Sequence, residues 1–222
     1  MSASGSRRGL SKGDQRERAL IEAARALLRT KPIRKITIDE LAAAAGIARP
    51  GFYFYFDSKQ AILAALCDEI IGEGEVDMAA WLAADGPDRA ALRSGLAGSL
   101  ARWRTDGLWL TEALAVPDPD REVRKIRDRI MTASWSQLRD RIERECAAGR
   151  ARVADPDLAA RMILTLRNSM FAQAVVSPDE YDDDRLVDAM TETTLRMIYC
   201  DHPADRAPDA QPIAPPTARP ST

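Results

Sequence analysis

Between Arg49 and Lys59 the chain gathers a guanidinium, the phenolic hydroxyls of Tyr53 and Tyr55, and an ammonium. These groups donate hydrogen bonds and two carry positive charge, so their chemistry is that of holding a polyanion rather than of breaking bonds. In helical register Arg49 and Tyr53 share one face, Gly51 and Tyr55 a second, and Phe52 and Phe56 a third. The phenylalanine face is expected in the core. The other two then offer charge, hydroxyls and exposed backbone, which contact with a major groove and its flanking phosphates requires. Phe54 suits either place. Pro50 fits only the first turn of a helix, where its missing N–H costs nothing.

Chemistry of other kinds lacks its parts. His202 is the one histidine and lies in a proline-rich tail, so Ser-His-Asp and Cys-His mechanisms have no base. Cys67, Cys146 and Cys200 are widely separated and odd in number, which argues against a disulfide framework and against zinc-ligand spacing. Neither a glycine-rich phosphate loop nor a dinucleotide fingerprint occurs. No catalytic residue, cofactor or metal is expected.

The elements that must position the cationic run are legible around it. Thr37 and Glu40 have the spacing of a capping box, and Ile38, Leu41, Ala42 and Ala45 follow on one face of the helix it opens. Gly46 stops that helix in a left-handed turn, and Ile47 plugs the angle to a second short helix. Asp57 and Gln60 repeat the capping pattern for a third, whose free N–H groups and neighbouring Lys59 favour an anion.

The run Arg49 to Lys59, RPGFYFYFDSK, is similar to the motif of the TetR-type bacterial transcriptional regulators, and more narrowly of their EthR-like members. The resemblance covers the first 60 or so residues strongly and the remainder by length, helical content and a loose tryptophan pattern. It implies that Thr37, Tyr53, Tyr55 and Lys59 hold phosphates, with Arg49, Pro50 and Gly51 nearest the bases. Two positions depart from it. Ala48 stands where the family commonly has serine and Gly51 where it has threonine, so a capping hydroxyl and a DNA-facing hydroxyl are absent.

Composition agrees with a folded regulator. The 222 residues are 45% apolar and 30% charged, enough for one or two domains with a sizeable core. The net charge of -2 divides unevenly: residues 1–59 hold 12 Lys+Arg against 6 Asp+Glu, and residues 60–222 hold 20 against 28. Such asymmetry draws a polyanion to one end. No apolar run approaches the ~20 residues of a membrane span, and the N-terminal stretch lacks a secretory signal, which predicts a cytoplasmic protein.

Helical periodicity dominates, predicting an all-α fold. A first helix spans about 14–29, and a long one runs from about Ser58 to Ala84, weakened at Gly72 and Gly74. Helices follow at about 88–104, 107–115, 120–148, 155–176 and 183–200. The expected organisation is a disordered tail over 1–12, a three-helix helix-turn-helix DNA-binding domain over 13–59, a helical effector-binding and dimerisation domain over 60–200, and a Pro-rich disordered tail over 201–222, which holds six of the thirteen prolines.

All four tryptophans, Trp81, Trp103, Trp109 and Trp135, lie beyond residue 60. Two readings stand: packed core, or the lining of an apolar cavity closed by methionines such as Met131, with Asn168 or Thr132 as a polar handle. EthR-like proteins have a tryptophan-rich tunnel for lipophilic ligands, and the resemblance implies that Trp103, Trp109, Trp135 and Phe171 line it here. Leu158, Met162, Leu166 and Met170, with Val187, Met190, Thr194, Met197 and Ile198, give the last two helices apolar faces. These complete a monomeric core or, as the resemblance implies, a four-helix bundle with a two-fold mate.

The sequence is thus expected to encode a ligand-responsive repressor that grips a palindromic double-stranded operator as a homodimer and is released by a small lipophilic effector. A transcriptional activator, a non-specific architectural DNA-binding protein and a helical enzyme acting on a lipophilic ligand are the alternatives.

Overall fold

The computed structural model describes residues 12–111, 114 and 121–199, and the regular elements among them are helices. They are α1 (Lys12–Leu28), α2 (Ile38–Ala44), α3 (Arg49–Phe52), α4 (Lys59–Ala83), α5 (Arg89–Leu110), α6 (Arg121–Ala147), α7 (Pro156–Val176) and α8 (Asp183–Tyr199), with short 3-10 turns at Ile33–Lys35 and Pro178–Glu180. The tails expected to be disordered lie outside the described residues, except that Lys12 opens α1.

Two boundaries differ from the sequence reading. Gly72 and Gly74 do not interrupt α4, which runs unbroken for 25 residues, about 37 Å. A helical glycine costs up to ~1 kcal/mol against alanine. Burial of Ile62, Leu66, Ile70 and Trp81 along the same helix offsets that several times over. The helices expected at 88–104 and 107–115 are joined in α5, which bends at Asp106 (φ -110°, ψ 17°) instead of breaking.

Helix α1 packs on α2 and α4, and α2 on α3. Further along, α4 lies between α5 and α6, α7 packs on α5 and α6, and α8 packs on α5 and α7. One apolar cluster runs without a gap from Leu20, Leu41, Phe52 and Phe56 through Ile62, Leu66 and Ile70 to Trp81, Leu96 and Trp103. Near the bend, α5 and α7 approach so closely that a Cβ on Gly107 would lie 2.4 Å from Val175 Cγ1.

The last two helices use their apolar faces differently. On α8, Val187, Met190, Thr194 and Ile198 are buried within the chain, in the helix that packs on α5 and α7. On α7, Leu158, Met162 and Leu166 form an i, i+4, i+8 stripe that is 53%, 54% and 37% exposed. An unpaired apolar face thus remains on α7 alone among the faces expected at a dimer contact.

Candidate nucleic-acid interface and effector cavity

The helix-turn-helix forms locally. Thr37 accepts from the Glu40 backbone N–H at 3.2 Å, while Glu40 Oε2 accepts from the Thr37 backbone N–H at 2.9 Å, completing the capping box. Lys31 donates to the other Glu40 oxygen. Lys31 and then the Thr37 backbone bond pull the Glu40 carboxyl down to about 2. Gly46 takes φ 69°, the left-handed conformation that the turn demands.

Helix α3 is a single turn. Ala48, its N-cap, is extended but supplies no side-chain bond, and Pro50 occupies the first turn as expected. Phe52 and Phe56 are buried with ring centroids 6.0 Å apart. This core contact turns the other faces outward: Arg49 and Pro50 are exposed, Gly51 is half-buried, Tyr53 is 45% exposed and Phe54 82%. Tyr55 is partly buried against the core and packs edge-on to Phe54 at 5.1 Å.

The two cations at the ends of this run have partners within the chain. Arg49 Nη1 donates to Asp39 Oδ2 of α2 at 2.8 Å, both side chains being more than half exposed. Tyr53 and Asp39 hold the Arg49 guanidinium above its ordinary range. Lys59, the first residue of α4, donates to the Ile36 carbonyl at 3.2 Å.

The cavity lies among α4, α5, α6, α7 and α8. Helix α4 contributes Ile70, Met78 and Trp81; α5 contributes Leu96, Ser99, Arg102 and Trp103; α6 contributes Ile130, Ser134 and Gln137. Ile163, Leu164 and Arg167 close it from α7, with Met190 and Thr194 from α8. The centre of a water molecule can occupy about 90 Å³ of it. Its walls are mainly apolar, the character of a small-molecule site.

Of the six side chains expected to line a pocket, Trp103 does so. The other five do not. Trp109 and Phe171 are fully buried in the core, with Phe171 edge-on to Trp103 at 6.2 Å. Trp135 faces the α6–α7 flank, where the guanidinium groups of Arg161 and Arg139 lie 4.0 and 5.1 Å from its ring centroid. Met131 and Asn168 meet each other, Asn168 Nδ2 donating to Met131 Sδ at 3.1 Å. Helical periodicity identifies a buried face, but not whether that face meets a neighbour or a void.

Trp81, Arg102 and Arg167 are among the lining residues that sequence reading did not assign to the cavity. Arg167 carried a signal: it follows Ile163 and Leu164 at i+4 and i+3, which sets a guanidinium on an apolar face.

Arg102 also belongs to an ion-pair network joining the cavity to α1. It donates to Glu73 Oε2 at 3.0 Å and to Asp77. Glu73 accepts from Arg25 of α1 at 2.6 and 2.8 Å. Arg25 donates also to Asp106, at 3.0 and 2.6 Å, and Arg29 donates to the same carboxylate at 2.7 Å. The Arg25 bonds hold the Glu73 carboxyl below its ordinary range.

With this geometry the chain can be placed among known proteins. Residues 20–66 match the bacterial regulatory proteins of the tetR family, and residues 112–201 match the AefR-like transcriptional repressor C-terminal domain. The transcriptional regulator EthR of Mycobacterium tuberculosis is 43% identical over 83 residues, 37% of this chain and 38% of that one. EthR of Mycolicibacterium smegmatis is 31% identical over 210 residues, 88% of this chain and 91% of the relative. Two solved structures share the fold. The fatty acid degradation regulator FadR of Bacillus halodurans has a TM-score of 0.68 at 18% identity, covering 85% of this chain and 97% of that one. FadR of Bacillus subtilis, in complex with stearoyl-CoA, has a TM-score of 0.68 at 20% identity, covering 82% and 99%. No described helix is long and apolar enough to cross a membrane. A helix-turn-helix built on Thr37, Gly46 and the Arg49–Lys59 run, joined to a helical body, is the architecture these relatives share, and the chain belongs to the TetR family of bacterial transcriptional regulators.

Proposed function

We propose that the protein is a cytoplasmic, ligand-responsive repressor whose residues 13–59 bind a palindromic DNA operator and whose residues 60–200 bind a lipophilic effector and dimerise. In this reading Tyr53, Tyr55, Thr37 and Lys59 hold phosphates, and Arg49, Pro50 and Gly51 lie nearest the bases. Recognition rests on the Arg49 guanidinium and on backbone, since Ala48 and Gly51 supply no hydroxyl. Arg49 exchanges its solvated pair with Asp39 for an acceptor on a base edge, a small loss because exposed pairs contribute about 1 kcal/mol or less.

The observation that carries the reading is the shared partner of Arg102 and Arg25. Arg102 lines the cavity and Arg25 belongs to α1 of the reading head, and both bond to Glu73 on α4. An effector that shifts α4 or Arg102 moves the point on which α1 rests. Release from DNA follows if the effector prefers the head spacing that misses the operator; each tenfold loss of operator affinity needs about 1.4 kcal/mol of such preference. The exposed α7 stripe of Leu158, Met162 and Leu166 supports a homodimer whose apolar contact is supplied by α7, the expected α8 face being buried within the chain; such a dimer would set two heads on successive major grooves.

Fluorescence anisotropy with the chain's own upstream DNA and with random DNA at matched salt tests the reading. A clear preference for the upstream DNA, lost on addition of a cavity ligand, is the expected result. Equal affinity for both sequences would point instead to architectural binding.

A further inference from the structure

Arg167 stands apart from the other internal arginines. Arg25, Arg102 and Arg104 each pair with a carboxylate. Arg167 has none among the described residues. Its fork is held from one side by its neighbour, Asn168 Oδ1 accepting from Nε at 3.2 Å and from Nη2 at 3.0 Å. Two bonds leave three of the five guanidinium N–H groups without an acceptor among the described residues. Glu75, the carboxylate on the cavity wall, is exposed and accepts from Gln137 Nε2 at 2.7 Å.

The surroundings make that incomplete pairing costly. Burial, followed by the positive charge of Arg102, lowers the Arg167 guanidinium to about 10. The same wall carries Ile163, Leu164, Leu110 and Trp103, which offer no acceptor from their side chains. Trp81, which also lines the cavity, has a buried Nε1–H with no partner among the described residues. A cationic donor and a neutral donor thus belong to one mainly apolar cavity, and neither is bonded to the acceptors its wall carries, Glu75, Ser99, Ser134, Gln137 and Thr194. Arg167 is half-buried, and a charge withdrawn that far from water is ordinarily paired.

We infer that the effector cavity is built for a lipophilic carboxylic acid, whose carboxylate pairs with the free edge of the Arg167 fork while its hydrocarbon lies against Trp103, Leu96, Ile163 and Met78. The inference rests on the effector-binding reading above and names its ligand class. Asn168 is then a positioning residue: it turns the guanidinium and leaves its outer N–H groups to the ligand. The carboxylate accepts charge-assisted bonds from the guanidinium.

Octanoate and methyl octanoate, identical in chain but different in charge, separate the possibilities when titrated into the full-length protein at pH 7.5 with tryptophan fluorescence as readout. The acid should bind at least about tenfold more tightly than the ester, since a hydrogen bond to a charged group contributes more than tenfold represents. Arg167→Met should abolish or reverse that preference while the ester still binds, and Arg167→Lys should retain part of it. Equal wild-type affinities, or an unchanged ratio in Arg167→Met, would overturn the carboxylate assignment and leave the effector cavity standing. Binding of neither compound would overturn the assignment together with the effector reading for acyl ligands. The wild-type comparison requires no variant, so a folding defect in Arg167→Met would not blunt it.

Discussion

Arg25 on α1 donates to Asp106 on α5 through Nε at 3.0 Å and Nη2 at 2.6 Å, and the Asp106 side chain is fully buried at the bend of its helix. A buried carboxylate is tolerated where its charge is matched, and Arg25 and Arg29 match it from the reading head. The bend and the head are therefore stabilised by the same contact. Through Glu73, Arg25 is also one ion pair from the cavity-lining Arg102.

Replacing Asp106 with asparagine should cost about 3 kcal/mol of unfolding free energy, the low end for breaking a buried pair, because Arg25 keeps Glu73 and Arg29 is partly solvated. Urea denaturation checks it. A loss well under 1 kcal/mol would mean that the network does not bear on folding.

Glu73→Gln addresses coupling rather than fold. It weakens the charge that Arg25 and Arg102 share, so effector affinity should change little while effector-induced loss of operator affinity shrinks by about 0.5–2 kcal/mol, roughly two- to thirtyfold. The ratio of operator dissociation constants with and without effector measures this. An unaltered ratio would place the route along the α4 backbone alone.

The phosphate assignments predict that Tyr53→Phe and Lys59→Ala each weaken operator binding without altering the dimer or effector affinity. For Lys59→Ala the slope of log affinity against log salt should fall by about 0.9, the value for one phosphate neutralised on duplex DNA. A full set of unchanged slopes and affinities would remove both residues from the interface.

Acid should loosen the head through Glu40. Its carboxyl titrates near 2 in the fold against 4.5 ordinarily, so the folded state favours the ionised form. That contribution is complete above pH 4.5 and is lost as pH falls towards 2. Glu40→Gln should flatten the pH dependence of head melting across this window, followed by amide exchange in α2.

Ala48 is an extended N-cap without a capping bond, so Ala48→Ser should raise stability by about 1 kcal/mol. Thermal melting of the two proteins decides it.

The reading head was legible because its determinants are local. Thr37 and Glu40 close a ring across three residues, Gly46 takes the left-handed turn at the helix end, and Phe52 and Phe56, on either side of the turn at residues 53–55, anchor the run to the core. The cavity was legible in kind but not in membership. Trp103 reaches it, whereas Trp109 and Phe171 pack into the core and Trp135 stacks beneath two arginines. The polar handle sought at Asn168 is one residue earlier, at Arg167, because a rotation of 100° along α7 separates a cavity face from a packed one.

By itself the sequence determined that the chain is helical, that its cationic run follows a capped helix and a glycine turn, and that its basic charge is concentrated before residue 60. These depend on periodicity, capping and composition, which act over a few bonds or by simple summation. Only the tertiary structure decided that α4 is unbroken, that α8 spends its apolar face inside the chain while α7 keeps a stripe exposed, and that Arg167 lines a void without pairing to a carboxylate among the described residues. Each of those depends on which surfaces of several helices meet, and close packing settles that over the whole chain at once.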